Sequence, residues 1–277
     1  MEATTGWPAL ARHIKAHPVS GSPEQRREAF DRLAPVAQAG TSVDMGGVCC
    51  ERIGMGNGAP VVWAHGGGLV FGSTRSHRAM AQAIAASCGR PVLLPDYRLA
   101  PEHEWPAPLE DLLAVVDACD GPVDLGGDSA GGLLALNAAL RRTEKLRSLA
   151  LMSPNTDRTG LSTTRKRNSA HDLMNDDADD LHLAQQSFGD DVAAVPDASP
   201  LLADLGSLPR VWLTVATDEV LLDDSLLLVQ ALGRAGVSCA AHIEEGLSHL
   251  WMLWPDAMPV TQRGYDSLGR FLRGSEK

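Results

Sequence analysis

An α/β fold, with a mostly parallel central sheet flanked by helices, is the architecture this sequence predicts, and three observations predict it. From about Pro60, short apolar runs of strand length alternate with longer stretches of helical pattern, and the short runs end in glycine or proline. The chain has 277 residues, of which 44% are hydrophobic and 21% charged, the balance of an ordinary folded protein rather than a disordered or fibrous one. That length buries a core without help from disulfides or a structural metal. No internal repeat or low-complexity linker divides it, and we read residues 1–277 as a single domain.

The strands expected in order are 60–64, 91–95, 123–126, 148–152, 210–216 and 240–245. Helices are expected between and after them at 76–87, 106–118, 131–142, 223–235 and 261–272. Two segments break the rhythm. Residues 1 to about 45 read as helical pieces interrupted by Pro8, Pro18, Pro23 and Pro35, and residues 155 to about 200 read as a polar, helical insertion containing a helix over 176–188. An insertion after a strand's carboxyl end lies over the edge where α/β sheets bind ligands.

Composition also excludes functions. Lys and Arg number 24 against 35 Asp and Glu, a net charge of -11 that repels nucleic acid and anionic membranes. No apolar stretch approaches the roughly 18 residues that span a bilayer, and the first residues lack the pattern of an export signal. The 5 cysteines form no metal-binding pattern, and they read as small buried hydrophobes of a reducing compartment. A cytoplasmic protein without metal or cofactor is the expectation; the oligomeric state is open, a homodimer included.

The chemistry concentrates in Gly127-Asp128-Ser129-Ala130-Gly131, which lies between an expected strand and an expected helix. A turn this tight lifts the serine out as a nucleophile and leaves no room for side chains at its flanks, hence glycine on both sides. Upstream, His65-Gly66-Gly67-Gly68 follows another strand. Its bare amides at Gly67 and Gly68, with that of Ala130, are suited to an oxyanion hole, while His65 is expected to brace the loop. A serine needs a base, and the base an orienting acid; in hydrolases of this layout the chain order is serine, acid, histidine. His249 follows the last expected strand, whereas the other histidines lie in a strand, in the two irregular segments or before the serine. Thr217-Asp218-Glu219 follows the strand 210–216 and supplies the acid. Asp218 is preferred, with Glu219 an alternative; Asp223 and Asp224 are also available, but a helix start favours carboxylates in any case.

These motifs, together with Asp96 to His103 and Ser199-Pro200-Leu201, resemble the bacterial hormone-sensitive-lipase-like esterases, a branch of the α/β-hydrolase fold, over about residues 60–275. The resemblance implies a helical cap over the acyl pocket, carried here by about 1–45 and 155–200, and an N-terminal part shorter than in many relatives. It implies structural work for the Asp96 to His103 stretch, with Arg98 and Glu102 in internal ion pairs. Relatives commonly have proline after the catalytic aspartate and glycine after the histidine, where this chain has Glu219 and Leu250. Trp251 is expected to line and narrow the pocket, the alternative being that Trp251 and Trp254 pack beneath the terminal helix. The function expected is hydrolysis of a small-molecule ester with a short to medium acyl group through an acyl-enzyme. An amidase or deacetylase of one metabolite is the alternative enzyme. A non-catalytic small-molecule receptor of this architecture would lack the base that His249 supplies.

Overall fold

Alternate residues of a strand point to opposite faces of its sheet, so a sheet covered on both sides needs strands that are apolar throughout. The computed structural model, which describes residues 6–56 and 58–274, has four central strands buried at every residue, β3 (Val61–Ala64), β4 (Val92–Pro95), β5 (Val123–Asp128) and β7 (Val211–Ala216), apolar except for Asp124 and Asp128 of β5 and Thr214 of β7. With β1 (Thr41–Met45), β2 (Val48–Ile53), β6 (Leu146–Met152) and β8 (Cys239–Glu244), they form one eight-stranded sheet in the order β1-β2-β4-β3-β5-β6-β7-β8. All neighbours from β4 to β8 run parallel; β1 and β2 pair antiparallel to each other, and β2 runs antiparallel to β4.

The helices are α1 (Trp7–Ala16), α2 (Pro23–Leu33), α3 (Thr74–Cys88), α4 (Ala107–Asp117), α5 (Ala130–Arg141), α6 (Thr164–Asn168), α7 (Asp177–Phe188), α8 (Leu222–Arg234) and α9 (Pro259–Arg273). Val62, Ala64 and Leu213 feed one core with α4, α5 and α8. Val61, Trp63 and Trp212 feed the other with α1, α2, α3 and α9.

The six strands expected from sequence are present within two residues at either end. The hairpin β1–β2 was not expected: the segment 1–45, read as helical pieces between prolines, carries α1 and α2 but ends in the strand β1. Residues 41–45 are an edge strand with a largely exposed face, so they carry no apolar run to mark them. Residues 1–5 of that segment lie outside the described residues. The insertion runs from the end of β6 to β7 and carries α6, α7 and three short 3-10 turns. Among the described residues, no helix is long and apolar enough to cross a membrane.

Candidate active site

Ser129 sits between β5 and α5 with φ 54° and ψ -123°, a conformation that costs an ordinary residue about 1–3 kcal/mol. The surroundings enforce it. A Cβ on Gly127 would lie 2.3 Å from the Gly131 carbonyl oxygen, and one on Gly131 would lie 2.2 Å from that of Ala64. The Ser129 N–H donates to Met152 O at 2.9 Å, tying the turn to the end of β6.

His249 follows β8, and its two ring nitrogens are both engaged: Nε2 lies 2.9 Å from Ser129 Oγ, and Nδ1 lies 2.9 Å from Glu219 Oε2. The acid at the imidazole is therefore Glu219, and the preference for Asp218 is corrected. Asp218 stays partly exposed beside the site and accepts a hydrogen bond from Thr217 Oγ1 at 3.2 Å. Adjacent residues of the turn face different ways, Asp218 toward its partly exposed flank and Glu219 into the interior. There Glu219 is fully buried, and its second oxygen accepts from Ser153 Oγ and the Ala216 N–H, each at 2.8 Å.

Burial pushes the Glu219 carboxyl up, opposed by its bond to His249. Burial pulls the His249 imidazole down, yet the hydrogen bond and charge of Glu219, with the nearby carboxylates of Asp172 and Asp180, hold it above the ordinary histidine value. His65 differs: burial and the neighbouring His77 pull it down to about 3, so it stays neutral. It stacks on Tyr97, ring centroids 4.2 Å apart, and the Tyr97 hydroxyl donates to the His65 carbonyl at 2.6 Å.

Gly67 and Gly68 have φ of 121° and 63°. A Cβ on Gly67 would lie 2.2 Å from Phe71 O, so only glycine fits. Among the described residues, the N–H groups of Gly67, Gly68 and Ala130 have no acceptor, which leaves them available to an incoming oxygen. Asp128, inside the serine motif, fastens this loop to the nucleophile turn. It accepts from the Gly66 N–H at 2.9 Å, from Trp63 Nε1 at 2.9 Å and from His77 Nε2 at 3.1 Å. The Asp96 to His103 stretch adds ion pairs, Arg98 to Asp111 at 2.8 Å and Glu102 to Arg27 of α2 at 2.6 Å.

Ser129, His249, Gly67 and Gly68 open onto a cavity of about 30 Å³. Its walls come from the N-terminal segment (Val19, Phe30), from the insertion (Met174, Asn175, Asp180, Leu183), and from Phe71 and Leu250. The two irregular segments meet each other through Arg26 and Asp179, 2.6 Å apart. Asp180 is buried, which alone would raise its pKa, but Arg158 and Arg165 hold its carboxyl well below the usual carboxylate range. Trp251 does not line this cavity, and that expectation is corrected. It is 1% exposed and its ring packs against Gly264 of α9, because the chain turns inward after Leu250.

Sequence reasoning missed Asp128, Asp172, Asn168 and Ser153 as parts of the site. The Gly-x-Ser-x-Gly position marks the first, but no spacing rule marks the other three, of which Ser153 follows β6 while Asn168 and Asp172 share the turn at the end of α6.

The family described as alpha/beta hydrolase fold matches residues 61–253. An acetyl-hydrolase of Streptomyces hygroscopicus is 31% identical over 274 residues, covering 93% of this chain and 92% of the relative. An esterase of Acinetobacter venetianus is 29% identical, covering 75% of this chain and 72% of its own. Among solved structures, an esterase from the bacterial hormone-sensitive lipase family superposes with a TM-score of 0.89 at 30% identity, covering 99% of this chain and 100% of that one. The chain thus belongs to the alpha/beta hydrolase fold family, as a carboxylesterase-type hydrolase of the bacterial hormone-sensitive-lipase-like group.

Proposed function

We propose that the protein hydrolyses carboxylic esters with short acyl groups through Ser129, His249 and Glu219, by way of an acyl-enzyme. The observation that carries this reading is the continuous chain from Ser129 Oγ through both His249 nitrogens to Glu219 Oε2, each link 2.9 Å. Ser129 Oγ attacks the ester carbonyl carbon while its proton passes to His249 Nε2. The Nδ1–H remains on the imidazole, donated to Glu219, whose charge stabilises the imidazolium. The carbonyl oxygen becomes an oxyanion and accepts from the amides of Gly67, Gly68 and Ala130. Collapse expels the alcohol with the proton from Nε2. Water then attacks the acyl-serine, gives its proton to His249, and the acid leaves as Ser129 recovers its own.

On this reading the N-terminal helices and the insertion act as a cap, and the acyl group lies in the cavity that both line. Leu183, which stands over the oxyanion loop, supports a short group: a Cβ on Gly68 would lie 2.8 Å from its Cδ1. One relative is an acetyl-hydrolase, in keeping with this size. The test is kcat/KM across p-nitrophenyl acetate, butyrate, octanoate and palmitate. The wild type should favour acetate or butyrate, and Leu183→Ala should shift the ratio toward octanoate roughly tenfold. A wild-type optimum at palmitate defeats the size assignment.

A further inference from the structure

Asp172 lies on the insertion, in the turn that follows α6, and is 9% exposed. Its carboxylate reaches both turns that carry the acid and the base. Oδ1 accepts from the His249 main-chain N–H at 3.1 Å and from Ser248 Oγ at 2.6 Å. Oδ2 accepts from the N–H of Val220, the residue after Glu219, at 3.0 Å. One turn earlier, Asn168 Nδ2 donates to the carbonyls of Thr217 and Glu219 at 3.0 and 2.8 Å. The β7 and β8 turns are joined at their bases, where the Thr217 N–H donates to Glu244 O at 2.8 Å and the Gly246 N–H to Thr217 Oγ1 at 2.9 Å, and a single turn of the insertion bridges them further out, at Glu219, Val220 and His249.

We propose that Asp172 is a positioning residue that sets the distance between His249 and Glu219 and adds negative charge beside the imidazole. The proposal rests on the Ser129–His249–Glu219 reading. The charged groups facing His249 are Glu219 from the β7 turn, Asp172 from the insertion turn and Asp180 from α7, the last paired with Arg158 and Arg165. Each carboxylate favours the imidazolium, so removing the Asp172 charge makes His249 neutral at lower pH.

Labelling of the wild type by an activated organophosphonate is measured first, because it tests the nucleophile independently; a labelled enzyme isolates the Asp172 question. Asp172→Asn should then lower kcat about 10²-fold, as expected when reacting groups are misplaced. KM should stay within about twofold, and the acid limb of the kcat/KM pH profile should move to lower pH. Ser248→Ala, which removes a hydroxyl that donates to Asp172 but leaves both main-chain bonds, should move that limb to higher pH. Opposite movements support the proposal. Unmoved limbs in both variants overturn it, as does an Asp172→Asn enzyme with kcat within about twofold of wild type. If Asp172→Asn does not fold, the Ser248→Ala limb decides alone.

Discussion

Ser129 and its oxyanion loop are held by main-chain geometry, whereas His249 and Glu219 are held by side chains that arrive from elsewhere. On the nucleophile side, glycines at 127 and 131 and the ends of β3, β5 and β6 leave the serine one position to occupy. On the acid–base side, Asp172, Asn168 and Ser153, all beyond the end of β6, brace the outer parts of two turns whose bases the β7–β8 pairing joins. A serine turn is therefore a property of a few adjacent residues. The proposed acid and base depend on how a remote insertion docks.

Three experiments sharpen this contrast. Ser129→Ala should reduce kcat roughly 10⁶-fold, with folding intact, because the turn is built by its neighbours rather than by the hydroxyl. Substantial residual turnover in a folded variant would move the nucleophile elsewhere. Trp251→Ala, two residues beyond His249 but in the core, should destabilise the protein by about 3–5 kcal/mol in denaturant unfolding. Its acyl-length profile should match wild type, and an altered profile would return Trp251 to the pocket. The smallest effect is on pH. Only neutral His249 accepts the serine proton, and its pKa lies above the ordinary 6.5, so kcat/KM should rise with pH through a midpoint above that value. A midpoint below it would mean that burial outweighs the Glu219 charge.

The same contrast explains what the sequence made legible. Central strands buried on both faces advertise themselves as apolar runs, and the serine and glycine motifs carry their geometry locally, so the sheet from β3 onward and the tight turn at Ser129 could be read directly. The hairpin β1–β2 could not, since Thr41–Met45 exposes one face and β2 contains Glu51 and Arg52. Asp218 and Glu219 are adjacent carboxylates after one strand, and residue type does not say which turns inward. That choice belongs to the partners waiting inside, Ser153 and the Ala216 N–H. Trp251 likewise follows the base in sequence, but the left-handed Leu250, φ 58°, precedes the turn that buries it.

The central claim is that Glu219, not Asp218, orients His249, and side-by-side kinetics of Glu219→Gln and Asp218→Asn test it most directly. Glu219→Gln should lower kcat roughly 10⁴-fold, because the amide no longer holds the imidazole in the tautomer that accepts the serine proton, while Asp218→Asn should stay within a few-fold of wild type. The opposite ranking, with Asp218→Asn the more damaging change in a folded protein, would contradict the account.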